Sequence, residues 1–174
     1  GTGMHTVIGI LSALWQREKT GKGQKVEVAM QEAVLNLLRV KFTGQYANGK
    51  TIERAGNFSP HGSLAGTYAC KGNGPNDYVI INISRTSRPM WEGLLKTIER
   101  EDLLGDEQYA DPAYRVEHRD EIVAIITEWT QLHDKQEVMH RMCKNGVACG
   151  ATLDSREVME DSHLRERGMI TTVD

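Results

Sequence analysis

Residues 44–66, "GQYANGKTIERAGNFSPHGSLAG", interrupt an otherwise patterned chain. The stretch is polar and rich in glycine, and it carries a single proline. An unpatterned run of this length inside a compact protein is either functional or a crossover between domains. The segments on either side must therefore find their own partners. We expect an α/β protein in three parts: a helix–strand–helix layer over 1–43, a linker over 44–65, and a second α/β domain over 66–174.

The opening "GTGMHTVIGI" has no initiator methionine and runs into a helix within three residues. A tag scar, an unseen leading segment and a chain cut from a longer protein all fit that start. Met4, Val7, Ile8, Leu11, Leu14 and Trp15 recur at helical spacing, which places them on one face. Thr2 is the candidate N-cap, and the helix is predicted to stop near Thr20, where Lys19, Gly21 and Gly23 supply end signals. "KVEVAM" alternates and predicts a short strand with Val26, Val28 and Met30 on its buried side. "QEAVLNLLRVKFTGQY" returns to helical spacing through Val34, Leu37, Leu38 and Phe42. Helix, strand and helix together read as the tail of an α/β layer that needs further elements to complete it.

Beyond the linker, "GTYAC" and "DYVIINIS" predict a hairpin over about 66–84, turned by "KGNGPN". "RPMWEGLLKTIER" predicts a helix facing inward through Met90, Trp91, Leu94, Leu95 and Ile98, with Pro89 near its start. "GDEQYADPAYR" reads as a loop. "EHRDEIVAIITEWTQLH" predicts a helix buried through Ile122, Ile125, Ile126 and Trp129. "DKQEVMHRMCKNG" predicts another, opened by a capping box between Asp134 and Glu137 and closed at Gly146. A short strand, "VACGATL", and two short capped helices, "DSREVMED" and "DSHLRERG", follow. The hairpin is expected to pack against Trp91, Leu95, Ile126 and Trp129.

Composition excludes several functions. The 174 residues suit one domain, or a small domain plus part of another. No apolar run approaches the ~20 residues of a membrane-spanning helix. The net charge of −3 hides an asymmetry: residues 1–60 hold eight basic and four acidic side chains, and residues 61–174 hold thirteen and twenty. With aromatics at 6% and no basic run interleaved with them, nucleic-acid binding is not supported. Cys70, Cys143 and Cys149 form neither a disulfide framework nor a zinc knuckle, and read as reduced thiols of a cytoplasmic protein.

Candidate chemistry is sparse. None of His5, His61, His118, His133, His140 and His163 pairs at the i, i+4 spacing of a helical metal site. His118, His133, His140 and His163 lie among charged residues and are expected on the solvated surface; His5 is expected to bond at a helix end. "GKGQK" lacks the Walker pattern and precedes a strand, so it reads as a turn. In "SPHGSLAG", residues 59–66, small residues between Gly62 and Gly66 would let backbone N–H groups approach a ligand oxyanion; a plain linker end is the competing reading.

Taken in order, these motifs resemble a known family. "GTGMHTVIGILSALWQREKTGKGQKVEVAMQEAVLNLL" closely resembles the central segment of class III CoA-transferases, the family of formyl-CoA:oxalate and carnitine CoA-transferases with α-methylacyl-CoA racemase as a relative. "HGSLAGTYACKG", "GPNDYVIINIS", "EDLLGDEQYADPAYRVEHRDEI" and "GVACGATLDSREVMEDSHLRERGMI" continue the resemblance in the same order. It implies a piece of the interlocked two-domain fold: the end of the large domain's first part over 1–43, the linker, and the small domain over 66–174. It also implies a nucleophilic aspartate just before Gly1, so that no catalytic residue lies within the chain. The nearest carboxylates along the sequence are Glu18 and Glu27. The substrate loop maps onto His61, Gly62, Ser63 and Leu64, where formyl-CoA transferases carry a run of glycines; that departure points away from oxalate. The resemblance further implies acyl-CoA and a small carboxylic acid as partners, coenzyme A as substrate with no other cofactor, and a homodimer. A racemase or epimerase of the same superfamily and a non-catalytic dimerisation piece are the alternatives.

Overall fold

The computed structural model describes residues 1–52, 54, 56–58 and 64–172, with Val40 described through its backbone alone. The chain divides into two compact units, Gly1–Glu53 and Arg54–Asp174. The division falls inside the polar stretch that the sequence marks out.

The first unit is a helical pair. α1 spans Thr2–Thr20 and α2 spans Met30–Asn48. Both end on a left-handed glycine, Gly21 at φ 68° and Gly49 at φ 64°, each donating its N–H back four residues. An L side chain is strained there, which is why glycine stands at both stops. The predicted cap at Thr2 is displaced: Gly1 is the N-cap, and Thr2 is already helical, its carbonyl accepting from Thr6 Oγ1 at 3.1 Å. α2 also runs five residues into the stretch read as linker.

The strand predicted over "KVEVAM" does not form, although its alternation survives. Val26 and Val28 are half-buried while Lys25 and Glu27 are exposed. A strand requires a ladder partner, and no described residue of the chain pairs with this one. Ala33 is the one buried side chain of this unit among the described residues. The predicted apolar face of α1 lies open at Met4, Val7, Ile8, Leu11 and Trp15, with Trp15 68% exposed. α2 leaves Val34, Leu37, Leu38 and Phe42 exposed.

The second unit carries the core. β1 (Gly66–Ala69) and β2 (Tyr78–Asn82) form the predicted hairpin, and β3 (Ala148–Ala151) adds to β2, giving an antiparallel sheet in the order β1-β2-β3. Tyr68 pairs with Val79, and Ile81 with Cys149. The hairpin turn is held by Asp77, whose carboxylate accepts from the Gly74 N–H at 2.9 Å and whose carbonyl accepts from Cys70. Tyr68, Cys70, Val79 and Ile81 face inward with period two, whereas Ile80 faces out.

Three helices cover the inward face: α3 (Arg88–Thr97), α6 (Arg119–Thr130) and α7 (Lys135–Lys144). They bring Leu94, Leu95, Ile122, Ile126, Val138 and Met142 onto the sheet. Trp91 and Trp129 are 3% and 7% exposed, as the sequence pattern requires. Thr130 Oγ1 donates to the Ala69 carbonyl at 2.7 Å and ties α6 to β1.

The segment read as a loop, "GDEQYADPAYR", is instead two short helices after a 3-10 turn at Glu101–Leu103: α4 (Glu107–Ala110) and α5 (Pro112–Glu117). Asp106 and Asp111 cap them by accepting from backbone N–H groups, and Pro112 fits the first turn of α5. Arg115 pins them down. Its buried guanidinium donates to the carbonyls of Tyr109, Ala110 and Arg85 and lies 4.8 Å from the Trp91 ring centre. Burial lowers its pKa, opposed by the charge of Asp111.

α8 (Ser155–Glu160) and α9 (Ser162–Glu166) end the described fold. Asp134 caps α7 through the N–H groups of Gln136 and Glu137, but the reciprocal half of the predicted box is absent. Glu137 is taken by His133 at 3.1 Å and Arg141 at 2.8 Å. The complete box forms at Asp154 and Glu157. There Glu157 Oε2 also accepts from Lys135 Nζ at 2.6 Å, and Lys135 donates further to the carbonyls of Asn76 and Thr152. One buried lysine thus joins the hairpin turn, the end of β3 and the start of α8. His118 and His133, expected on the solvated surface, are half-buried, stacked on Tyr114 and tilted on Trp129 respectively.

Two outcomes follow from this packing. Gly93 sits where α3 meets the backbone after α7: an added Cβ would overlap the Asn145 carbonyl oxygen, which cannot swing aside. Alanine would gain about 1 kcal/mol of helix propensity, but overpacking typically costs about 1–3 kcal/mol, more against fixed backbone. Gly93→Ala should therefore lower the urea midpoint clearly, whereas Gly150→Ala, which meets nothing within 4 Å, should leave it nearly unchanged; equal midpoints would refute the close approach. The second outcome concerns acid. The hydrogen bond from Lys135, then that from the Asp154 N–H, holds the Glu157 carboxyl below its ordinary range. The N–H of Glu157 is the largest influence lowering the Asp154 carboxyl, with burial opposing it. Stability from these lowered groups is fully present above ordinary carboxyl values of ~4 and is lost as pH falls through the lower folded values. A carbon-detected NMR titration should show both titrating below their unfolded values, and either one titrating at or above its unfolded value contradicts the clasp.

Candidate functional site

Two places in the chain carry site features, one in each unit. The first is the N-terminal turn of α1. A helix start leaves backbone N–H groups without intrahelical partners, and the aligned peptide dipoles make that end positive. Here the turn has no side-chain cap and no acidic residue. It is free to favour an anion.

His5 lies in this turn, and its bond is the end-of-helix contact expected from sequence. Nδ1 is 2.9 Å from the Gly1 carbonyl oxygen, which also accepts from the His5 backbone N–H at 3.2 Å. The other ring nitrogen has a partner that the sequence did not suggest: Nε2 is 2.8 Å from Asn36 Nδ2, on α2. Arg39 then donates to Asn36 Oδ1 at 2.9 Å. Gly1 approaches α2 closely, since an added Cβ would stand 2.9 Å from Leu37 Cδ1. Asn36 and Arg39 stand one turn apart on a helix otherwise read for its apolar positions. Two hydrogen-bonding side chains amid "AVLNLLRV" were the available signal.

The second place is where the chain enters β1. His61, Gly62 and Ser63 lie outside the described residues. Leu64 is 4% exposed and belongs to the core, and its carbonyl accepts from the Tyr68 hydroxyl at 2.7 Å. Phe58 pairs with Gly66 in an isolated antiparallel bridge. Its ring lies against Gly66 so closely that a Cβ there would overlap it. Tyr68 meets the Phe58 ring edge-on at 5.8 Å, and the Arg119 guanidinium lies 5.6 Å from its centre. Burial raises the Tyr68 pKa, with Arg119 opposing, so the hydroxyl keeps its proton and donates. Phe58 and Leu64 are thereby held firmly on the second unit.

Burial works against two of the three cysteine thiols as nucleophiles. All three cysteines are free. Burial, then the charge of Asp77, pushes Cys70 up to about 11; burial, then Cys143 and Cys70, pushes Cys149 up to about 12. Neither is a ready nucleophile near neutral pH. Cys143 is exposed and donates to the Cys149 carbonyl at 3.5 Å. Among the described residues no group of three His, Cys, Asp or Glu side chains is arranged for a metal ion, and no helix is long and apolar enough to cross a membrane. "GKGQK" is a turn, with Gly21 left-handed and no helix start behind it.

Comparison with known proteins bears on the family and the fold. The sequence model of CoA-transferase family III matches residues 1–174. A formyl-CoA:oxalate CoA-transferase of Streptomyces coelicolor is 39% identical over 186 residues, covering 99% of this chain and 45% of that protein. One of Rhodopseudomonas palustris is 38% identical over 193 residues, covering 100% of this chain and 45% of that protein. Among solved structures, a CaiB/BaiF family protein from Brucella suis matches with a TM-score of 0.77 at 28% identity, over 97% of this chain and 43% of that one. A hypothetical protein from Mycobacterium tuberculosis, at TM-score 0.70 and 18% identity over 99% of this chain and 46% of that one, shares the fold. The chain spans less than half the length of the curated relatives it matches.

Proposed function

The chain belongs to CoA-transferase family III, and on that premise we propose that it is part of an enzyme that moves coenzyme A between an acyl-CoA thioester and a free carboxylic acid. The observation that carries this reading is the first turn of α1, uncapped by any side chain and free of acidic residues. In the proposed enzyme the nucleophile is an aspartate just before Gly1. Its carboxylate, and the oxyanions formed from it, face those amides.

The reaction proceeds by covalent exchange. The aspartate oxygen attacks the thioester carbonyl, the CoA thiolate leaves, and a mixed anhydride forms. The thiolate attacks the aspartyl carbonyl of that anhydride and expels the donor's acid, leaving an aspartyl-CoA thioester. The acceptor carboxylate attacks this thioester, CoA leaves again, and its return to the acceptor's acyl carbon regenerates aspartate. No step requires a metal or a redox group. Each passes through negative charge that a helix start favours.

Acceptor choice is assigned to His61, Gly62 and Ser63, with Leu64 as the anchor that fixes their attachment to β1. Two of the relatives are named for formyl-CoA and oxalate. The side chains of His61 and Ser63, where formyl-CoA transferases carry glycines, favour a carboxylic acid other than oxalate. The enzyme is read as a cytoplasmic homodimer, supported by its free thiols and by the apolar faces that α1 and α2 leave open.

Residues 1–174 alone should not transfer CoA. Glu18 lies ~24 Å along α1 from its start at 1.5 Å per residue, and Glu32 occupies the first turn of α2. The assay incubates the chain with an acyl-CoA and formate, oxalate or succinate, and follows the products by mass spectrometry. Turnover above a heat-killed control, or a CoA adduct on Glu18, Glu27 or Glu32, would contradict the assignment. Adding the aspartate-bearing segment should bring activity.

A further inference from the structure

The side chains that connect α2 to the start of α1 form an ordered relay, and each member dictates the state of the next. The Arg39 guanidinium has only donors, so the Asn36 atom 2.9 Å away must be the amide oxygen. That fixes the amide orientation and turns Asn36 Nδ2 toward His5. An amide nitrogen only donates, so His5 Nε2 must accept. The ring proton then resides on Nδ1, where the Gly1 carbonyl oxygen, an acceptor only, stands 2.9 Å away. Each assignment is forced by the preceding contact, and the last contact agrees with all of them.

We propose that Arg39, Asn36 and His5 are positioning residues that hold the Gly1 carbonyl, and with it the backbone at the start of α1, in the geometry the reaction uses. The proposal rests on the reading that the nucleophilic aspartate precedes Gly1. The Gly1 carbonyl receives two N–H donors from one residue, His5. It therefore cannot rotate without losing both. Asn36 and His5 are 31 positions apart in sequence, so the relay makes the placement of the first turn depend on α2. An imidazole in the Nδ1–H tautomer suits this task, because protonation of Nε2 would set two donors facing each other at Asn36. An Asn36 flip to relieve them would present its amide nitrogen to the Arg39 guanidinium. Arg39 thus locks the relay from its far end.

Two measurements test this. In the 174-residue chain, nitrogen-15 NMR of the His5 ring should show a protonated Nδ1 and an unprotonated Nε2, and Arg39→Ala should shift the tautomer toward Nε2–H. A wild-type His5 with its proton on Nε2 overturns the relay. In the protein extended to include the aspartate, Asn36→Leu should lower kcat about tenfold or more, as misplacement of a reacting group does. KM for the acyl-CoA and the melting temperature should stay close to wild type. Arg39→Lys, which keeps a donor at the far end, should recover part of the loss relative to Arg39→Ala. An unchanged kcat in Asn36→Leu, or equal losses in kcat/KM and in stability, shows that the relay positions nothing for catalysis. If the extended wild-type protein itself transfers no CoA, the functional reading fails, and the proposal with it. That result cannot be confused with an effect seen only in the variants.

Discussion

Burial of one face of a three-stranded sheet is the interaction on which the second unit depends. Tyr68, Val79 and Ile81 line that face and are covered by Leu94, Leu95, Ile126, Val138 and Met142. Each large apolar side chain fully removed from water contributes roughly 1.5–3 kcal/mol, so this cluster outweighs any polar contact in the chain. The helices can approach closely because Gly93 admits the Asn145 carbonyl where a side chain would block it. In residues 1–53, by contrast, Ala33 is the one buried side chain among those described. Two helices of nineteen residues there rest on their own hydrogen bonds and a narrow mutual contact.

That inequality bears on function. The entry to β1 is built on the firm unit, where Leu64 is in the core and Phe58 is wedged between Gly66, Tyr68 and Arg119. The start of α1 is placed by a few directional bonds instead of by packing. Polar bonds fix geometry well but contribute only about 0.5–1.5 kcal/mol each. The start of α1 is therefore tied to α2 by the bonds that Asn36 makes to His5 and accepts from Arg39, while the apolar faces of both helices lie open.

Much of the fold was legible in the sequence because it is encoded locally. The periods of α1, α3 and α6, the hairpin around "KGNGPN" and the stops at Gly21 and Gly146 all follow from neighbours a few residues apart. The misreadings arose where a distant partner is needed, where a nearby side chain competes, or where an element is too short to show a period. "KVEVAM" alternates like a strand, but alternation cannot supply a ladder. Asp134 and Glu137 satisfied the spacing of a capping box, yet His133 and Arg141 claimed Glu137 first. α4 and α5 were missed because four- and six-residue helices show no apolar period. Their signals were the capping aspartates and Pro112. His5 was readable as a helix-end residue, whereas its link to Asn36 joins two helices and leaves no periodic trace.

Residues 64–152 hold a core of their own, whereas α1 and α2 do not. Residue-resolved amide hydrogen exchange of the 174-residue chain tests this difference. Amides of Val79, Ile81 and Ile126 should exchange only through global unfolding, and those in the middle of α1 and α2 at least ~100-fold faster through local opening. Exchange in α1 and α2 as slow as in β2 would show that the first unit is held as firmly as the second.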